Sequence, residues 1–309
     1  MRFFKVSLLL VILIILLMGC EQGPEVKGIR ELGRYEKEPT IEVVKEDGKT
    51  ETLDFEEYIV GVVAGEMENG WPREAYGAQA ILARTFALQY LEENNTRMIS
   101  GAYQFAQEYN PEKVTDKIRK GVSLTRGEAI VYDDRFIKGW FHASAGGQTT
   151  TAQVGIGYEK REPKYTKTVK SPDQQAPEDV KNWEVSFTGE EIKTALEKLK
   201  QNPGPIKDIE IIDKDQSGRI INLRFSGDND TIDVKAAKFR RELDPQKLKS
   251  TKIDNIEKTE EGFFFSGSGY GHGVGMSQWG AYSLALGGRS PEEIVEHYFS
   301  DIEIVKVYD

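Results

Sequence analysis

The segment that decides the fold is the apolar run Leu53-Asp-Phe-Glu-Glu-Tyr-Ile-Val-Gly-Val-Val-Ala-Gly-Glu-Met67. Asp54 is followed three residues later by Glu57, which is the spacing of a capping box at a helix N-terminus. The Asn69-Gly70 pair that comes after the run is typical of a helix end. These signals predict a helix that begins at Phe55 and ends at that pair.

Glu66 is the candidate for chemistry in this run. It falls in the last turn of the predicted helix, where the helix macrodipole disfavours negative charge. Its neighbours Val62, Val63 and Met67 offer a carboxylate little solvation, so we expect a raised pKa. The local pattern alone favours an ordinary surface residue near a turn over a reactive group, because a perturbed carboxyl marks a site only statistically.

A second helix is predicted directly after the turn. Pro72 suits its first position, and apolar residues then recur at helical spacing through Tyr90. We expect this helix to be scaffold, with two polar residues, Gln79 and Arg84, among its buried positions.

The N-terminus predicts export. Arg2 and Lys5 precede the 13-residue apolar run Val6–Met18, which is short for a membrane span and right for a signal peptide. Residues 17–20 resemble a bacterial lipobox, so we expect residues 1–19 to be removed and Cys20 to carry a lipid. An uncleaved signal anchor is the alternative, and both place the protein at the extracytoplasmic face of the cytoplasmic membrane.

The rest of the chain predicts an α+β protein. Residues 20–40 are rich in charge without apolar periodicity, which indicates a flexible tether to the membrane. Residues 41–309 are predicted to form one large α+β domain. Within it, residues of about 160–261 are more charged, and we expect an inserted mixed α/β lobe there.

Composition excludes some functions. The chain has 309 residues and a net charge of −10, with no basic stripe, which argues against nucleic acid as a partner. Cys20 is the only cysteine, so intrachain disulfides and cysteine-ligated metal sites are excluded. Asp213–Gly218 mimics the opening of a calcium loop, but its twelfth position is Arg224, and we predict a hairpin turn.

Two loops rich in small residues complete the candidate site. The first, His142-Ala-Ser-Ala-Gly-Gly-Gln-Thr149, follows a predicted strand and could bring backbone close to a ligand. The second, Gly262–Gly280, holds seven glycines around a lone histidine. The candidate ligand-binding residues of these loops are His142, Ser144, Gly146, Gly147, His272, Ser277 and Gln278.

Taken in order, these segments resemble the stage II sporulation protein D and amidase-enhancer family. The resemblance is carried by residues 57–67, 78–86, 142–149 and 271–280 and extends from about residue 41 to the end. It implies a domain active on peptidoglycan, with Glu66 at the position of the family's catalytic glutamate. Arg84, His142, Ser144 and His272 then fall at positions that resemble its substrate cleft, and we add Gln79 to them.

The activity implied is that of a lytic transglycosylase, which cuts glycan strands between MurNAc and GlcNAc after the stem peptides have been removed. Such an enzyme needs one carboxyl group, because the C6 hydroxyl of the muramic acid closes onto C1 and gives a 1,6-anhydro end. Some relatives hold zinc near the loop that matches 142–149. This chain has no cysteine there, so we expect no metal and no cofactor.

Three alternatives remain open at this stage. The first is a non-catalytic wall-binding protein that stimulates an N-acetylmuramoyl-L-alanine amidase. The second is a hydrolase that uses water, with Asp133 or Asp134 as the second carboxylate. The third is a hydrolase built on Ser144 and His142, for which no orienting acid is identifiable.

Overall fold

A computed structural model describes residues 35–45, 47–101 and 107–309. The predicted signal peptide, the lipobox with Cys20 and most of the predicted tether lie outside these residues. Within the described part of the chain, no helix combines the length and the apolar character needed to cross a membrane.

The described chain is α+β, as predicted. Its strands are β1 (Thr40–Val44), β2 (Thr50–Asp54), β3 (Met98–Ser100), β4 (Glu128–Tyr132), β5 (Arg135–Phe136), β6 (Phe141–His142), β7 (Trp183–Thr188), β8 (Ile206–Lys214), β9 (Ile220–Gly227), β10 (Thr231–Lys235), β11 (Ile253–Lys258), β12 (Gly262–Gly267), β13 (Met276–Ser277) and β14 (Glu303–Lys306). Its α-helices are α1 (Phe55–Glu66), α2 (Arg73–Glu93), α3 (Asp116–Ser123), α4 (Ala152–Gly155), α5 (Glu178–Lys181), α6 (Gly189–Lys198), α7 (Ala236–Leu243), α8 (Gln278–Leu286) and α9 (Pro291–Tyr298).

Helix α1 begins at Phe55 as predicted but ends at Glu66, before the Asn69-Gly70 pair, because the chain becomes extended at the next residue. The predicted capping box is wrong: the Asp54 side chain makes no capping hydrogen bond. The carboxylate of Glu57 instead forms a two-pronged ion pair with Arg119 of α3, at 2.6 and 2.7 Å.

Helix α2 is the centre of the main core. It packs against α1, α3, α8, α9 and β4, and residues on all its sides are buried as far as Leu88. A helix surrounded in this way needs mostly apolar and small side chains on all its sides, which explains its alanine-rich sequence, and its buried polar residues Gln79 and Arg84 are the exceptions.

The strands around this core form two hairpins. Strands β1 and β2 pair antiparallel with Ile41 opposite Leu53, and β3 adds to β1 in parallel. Strands β4 and β5 are joined by Asp133 and Asp134, which both adopt the left-handed conformation. Strand β14 closes this second sheet by pairing antiparallel with β4.

A separate hydrophobic cluster lies between Trp183 and Phe265. It is built from β7–β12, α6 and α7, and its buried side chains include Leu223, Phe225 and Phe239. The cluster extends into β12, beyond the predicted boundary near residue 261. The predicted hairpin turn is confirmed, because residues 215–219 connect β8 to β9.

One short pairing positions the site. Strands β6 and β13 pair in parallel, with Phe141 opposite Met276 and His142 opposite Ser277. The pairing joins the two glycine-rich loops, which are more than 130 residues apart in the sequence, and it leads directly into α8.

Candidate functional site

The Glu66 side chain lies at the C-terminal end of α1, half-buried. Burial, aided by the nearby carboxylate of Glu108, raises the pKa of its carboxyl group to about 7. The hydrogen bond from the Glu108 N–H and the charge of Lys113 oppose this shift. The predicted rise in pKa is therefore confirmed, and burial is its main cause.

The segment Gln107–Asn110 crosses α1 and creates this environment. Two glycines make the crossing possible: a Cβ at Gly61 would lie 2.2 Å from the ring of Tyr109, and a Cβ at Gly65 would lie 2.3 Å from the carbonyl oxygen of Glu108. The approach lets the Glu108 N–H donate a 2.8 Å hydrogen bond to Oε1 of Glu66.

Glu108 is the second carboxyl group at this end of α1. Its side chain forms a 3.4 Å ion pair with Lys113, and both partners are substantially exposed. Glu108 and Lys113 therefore act on Glu66 in opposite directions, one favouring the protonated form of its carboxyl group and the other the carboxylate.

Two of the predicted site residues lie beside Glu66. The amide nitrogen of Gln278, the first residue of α8, lies 3.1 Å from the main-chain oxygen of Glu66. It also lies 3.4 Å from the side-chain oxygen of Gln79 in α2. Gln79 is fully buried, and its own amide nitrogen has no partner among the described residues. The structure thus brings together residues separated by more than 200 positions.

Ser144 and Ser277 are directed at a buried carboxylate that the sequence analysis missed. Oδ2 of Asp173 accepts hydrogen bonds from Ser144 Oγ at 3.0 Å and from the Gly147 N–H at 3.3 Å. Its Oδ1 accepts from Ser277 Oγ at 2.9 Å and from Ser171 Oγ at 2.6 Å. Ser144 and Ser277 are almost fully buried. Because both donate to Asp173, they fix the loop 142–149 to the start of α8. This differs from the expectation that they face a ligand.

His142 and His272 lie close together, with ring centroids 5.4 Å apart. Nδ1 of His142 lies 3.1 Å from the carbonyl oxygen of Val274, whose N–H donates to Nδ1 of His272 at 3.0 Å. Burial, followed by the charge of Arg219, lowers the pKa of His142 to about 3. Burial and then His142 lower the pKa of His272 as well. Both rings are neutral at neutral pH.

Gly146 and Gly147 make the turn of the first loop. Both adopt left-handed conformations, with φ of 66° and 95°, which glycine adopts without the penalty of a side chain. The Lys252 ammonium group donates to the carbonyl oxygen of Gly146.

Arg219 ties the two glycine-rich loops together from the β8–β9 turn. Its fully buried guanidinium donates to the carbonyl oxygens of Ala145, at 3.2 Å, and Gly271, at 3.3 Å. A Cβ at Gly273 would lie 2.3 Å from its Nε, so the loop lies flat against the guanidinium.

Arg84 lies near the N-terminal end of α1, at the other end of the helix from Glu66. It is fully buried, and its Nε and Nη2 donate to the carboxylate of Glu56 at 2.8 and 2.9 Å. Its Nη1 donates to the hydroxyl of Thr125 and the carbonyl of Glu128. Glu56 opens α1 and Glu66 ends it, so Arg84 supports the opposite end of the helix instead of orienting Glu66 or meeting a substrate.

Three acidic residues were therefore missed as parts of the arrangement: Glu56, Glu108 and Asp173. None is marked by a local pattern, because each acts through partners far away in the sequence. Among the described residues, no three histidine, cysteine, aspartate or glutamate side chains are grouped to hold a metal ion.

Comparison with known proteins identifies two family models and several relatives that match the chain. A family model described as "Stage II sporulation protein" matches residues 45–132, which include Glu66 and Glu108, and one described as "Domain of unknown function (DUF8618)" matches residues 160–275. An uncharacterised protein from Brachyspira hyodysenteriae is 30% identical over 256 residues, covering 82% of this chain and 67% of the relative.

Two named relatives come from Bacillus subtilis. Its stage II sporulation protein D is 28% identical over 278 residues, covering 82% of this chain and 75% of the relative. Its amidase enhancer is 25% identical over 282 residues, covering 77% of this chain and 39% of that longer protein.

Proposed function

The chain belongs to the stage II sporulation protein D and amidase-enhancer family, and from this premise we propose that it acts on the cell wall as a lytic transglycosylase. The substrate is the peptidoglycan glycan strand, freed of stem peptides, and the bond cut joins MurNAc to GlcNAc. The observation that carries the proposal is Glu66, a half-buried carboxyl group whose pKa is raised to about 7.

The reaction needs Glu66 in both protonation states. The protonated carboxyl donates its proton to the glycosidic oxygen as the bond from that oxygen to C1 breaks. The C6 hydroxyl of the same MurNAc then attacks C1, and the Glu66 carboxylate takes the hydroxyl proton. The acid is restored without water, and the product carries a 1,6-anhydro bridge.

A pKa near the working pH favours both halves of this cycle, and general acid–base catalysis contributes about 10²–10⁴-fold. Burial keeps the proton on Glu66 before the bond breaks. The 2.8 Å hydrogen bond from the Glu108 N–H then stabilises the carboxylate that forms. The surroundings of Glu66 thus support its protonated form, which acts as the acid, and its carboxylate form, which acts as the base.

The hydrolase that uses water requires a second carboxylate across the bond. Asp133 and Asp134 lie in the exposed turn between β4 and β5, and the carboxyl group that the structure places near Glu66 is that of Glu108. A hydrolase would therefore use Glu108, and its products would end in reducing sugars.

The test is mass spectrometry of glycan strands, with and without stem peptides, after digestion by the full chain in detergent. We expect 1,6-anhydro ends with the native protein and none with Glu66→Gln, while Glu108→Gln keeps them. Reducing ends that depend on Glu108 would establish the hydrolase instead.

A non-catalytic wall binder is the second candidate, supported by the match to the amidase enhancer over 77% of this chain. Its signature is unchanged glycan in the same digestion, together with stimulation of an N-acetylmuramoyl-L-alanine amidase that Glu66→Gln leaves intact.

We further propose that the protein works at the extracytoplasmic face of the cytoplasmic membrane, attached through a lipid on Cys20. The support is the sequence pattern of residues 1–20. A Cys20→Ala variant should lose lipid labelling and leave the membrane fraction. Membrane retention of that variant would indicate an uncleaved signal anchor.

A further inference from the structure

Three aromatic side chains cluster near the C-terminal end of α1, where Glu66 lies. The ring centroids of Trp71 and Trp279 lie 4.6 Å apart, and Tyr282 lies 5.0 Å from Trp71 and 5.4 Å from Trp279. Trp71 is only 5% exposed, whereas Trp279 and Tyr282 keep part of their surface open. The buried indole thus supports two aromatic rings that solvent can reach.

Short connections hold this cluster at the end of α1. Trp279 directly follows Gln278, whose side chain donates to the Glu66 carbonyl at 3.1 Å. Trp71 comes five residues after Glu66, and its main-chain N–H donates to the hydroxyl of Tyr76 at 3.0 Å. That hydroxyl in turn donates to the carbonyl of Glu68 at 2.7 Å.

The helix that carries the two open rings is firmly anchored. Ser277 caps α8 by accepting from the Gly280 N–H at 3.2 Å, and its hydroxyl donates to Asp173. The main-chain N–H of Trp279 donates to the carbonyl oxygen of Ala143 at 3.0 Å. The two rings therefore project from a fixed backbone, which needs little further ordering when a ligand binds and so favours affinity.

We propose that Trp279 and Tyr282 form a sugar-binding platform, on which an uncharged N-acetylhexosamine ring of the glycan strand stacks through its C–H face beside Glu66. The choice of a glycan as ligand rests on the proposed function. The choice of an uncharged ring rests on α8, since residues 278–286 include no acidic or basic side chain. The helix therefore offers no charge of its own to the carboxylates of a stem peptide.

Leu286 distinguishes a sugar from a protein as the occupant of this surface. It lies on the same side of α8, four residues after Tyr282, and is 59% exposed. An aliphatic side chain there adds area to a protein interface but offers no flat ring to a sugar. A protein partner would use all three side chains, whereas a glycan would use the two aromatic ones.

The experiment measures binding of chitotetraose, an uncharged β-1,4-linked probe, to the full-length Glu66→Gln protein by calorimetry, so that cleavage does not interfere. Adding Trp279→Ala or Tyr282→Ala should weaken binding about tenfold each. Trp279→Phe should retain affinity but lose the change in tryptophan fluorescence that binding produces. Leu286→Ala should bind the probe as the parent does.

Melting temperatures check that each variant is folded, and Tyr282→Ala with Trp279→Phe suffices if Trp279→Ala does not fold. Unchanged affinity in the folded alanine variants overturns the platform, and so does an equal loss in Leu286→Ala. If the native protein leaves glycan uncut but binds it through Trp279, the platform holds and the transglycosylase proposal fails. If both alanine variants cleave glycan normally with an unchanged KM, the platform is overturned and the transglycosylase proposal stands.

Discussion

Helix α1 carries a glutamate near each end, and the pKa of the first is lowered whereas the pKa of the second is raised. At the N-terminal end, burial alone would raise the pKa of Glu56, but the hydrogen bonds and charge of Arg84, with hydrogen bonds from Tyr308 and the Gly127 N–H, outweigh it and lower the pKa. At the C-terminal end, Glu66 receives one main-chain hydrogen bond, and burial raises its pKa to about 7.

The difference shows what decides the protonation state of a glutamate that has little access to water. Both are glutamates with restricted access to water, so burial does not decide between them. The partners decide: a buried guanidinium fixes Glu56 as an anion, whereas Glu66 has no cation in direct contact among the described residues and can exchange a proton.

The largest expected effect comes from removing the cation at the N-terminal end. Arg84→Met leaves the Glu56 carboxylate buried without its charge partner, and we expect a loss of about 3–5 kcal/mol in the free energy of unfolding. Urea denaturation measures it.

Arg119→Met is the matched control, because it breaks the exposed ion pair of Glu57 on the same helix. Its cost should stay below about 1 kcal/mol. Equal losses in the two variants would contradict the structural role assigned to Glu56 and Arg84.

At the C-terminal end of α1 we expect a smaller change in the free energy of unfolding, and a gain instead of a loss. The raised pKa means that folded protein holds the Glu66 proton between the ordinary glutamate pKa and about 7, so this group's contribution to stability is lost as pH rises through that window. Glu66→Gln removes a carboxylate that is costly to bury. It should therefore raise the free energy of unfolding by about 1–2 kcal/mol at pH 8.

Measured at pH 4.5, the same substitution should bring no such gain, because the native carboxyl group is then protonated. Denaturation of the two proteins at both pH values provides the comparison. A Glu66→Gln variant that is less stable than the native protein at pH 8 would show that Glu66 is held as an anion.

The smallest effect concerns the two charges near Glu66. Glu108→Gln should shift the alkaline limb of the pH–rate profile, on which activity falls as Glu66 loses its proton, to lower pH, because the Glu108 carboxylate raises the pKa of Glu66. Lys113→Met should shift it to higher pH. Both shifts are fractions of a unit, since the two side chains are at least partly exposed to solvent, which screens their charges. Shifts in the same direction would contradict this arrangement.

The sequence was sufficient to predict the direction of the Glu66 pKa shift, because apolar neighbours are a local signal, but it did not reveal that the segment Gln107–Asn110 crosses α1 beside Glu66. It also predicted the hairpin turn at Asp213–Gly218, which joins β8 to β9 in the structure. The capping box at Asp54 failed because Arg119, which is 62 residues away from Glu57, takes the Glu57 carboxylate.

The remaining features depend on contacts between distant segments. Arg84 was assigned to the substrate cleft from the family resemblance, and its actual partner Glu56 was missed because it lies 28 residues earlier, on a neighbouring helix. Ser144 and Ser277 looked free to bind a ligand because Asp173, which accepts from both, lies in a charged stretch without a recognisable motif. No local period encodes such pairings.

The most direct test is a carbon-13 NMR titration of the glutamate side-chain carboxyl groups, with Glu66 and Glu56 assigned through the Glu66→Gln and Glu56→Gln variants. We predict that Glu66 titrates near pH 7 and that Glu56 titrates below the ordinary glutamate range. If both carboxyl groups titrate alike, or if Glu66 titrates at the ordinary value, Glu66 is not the proton donor described here.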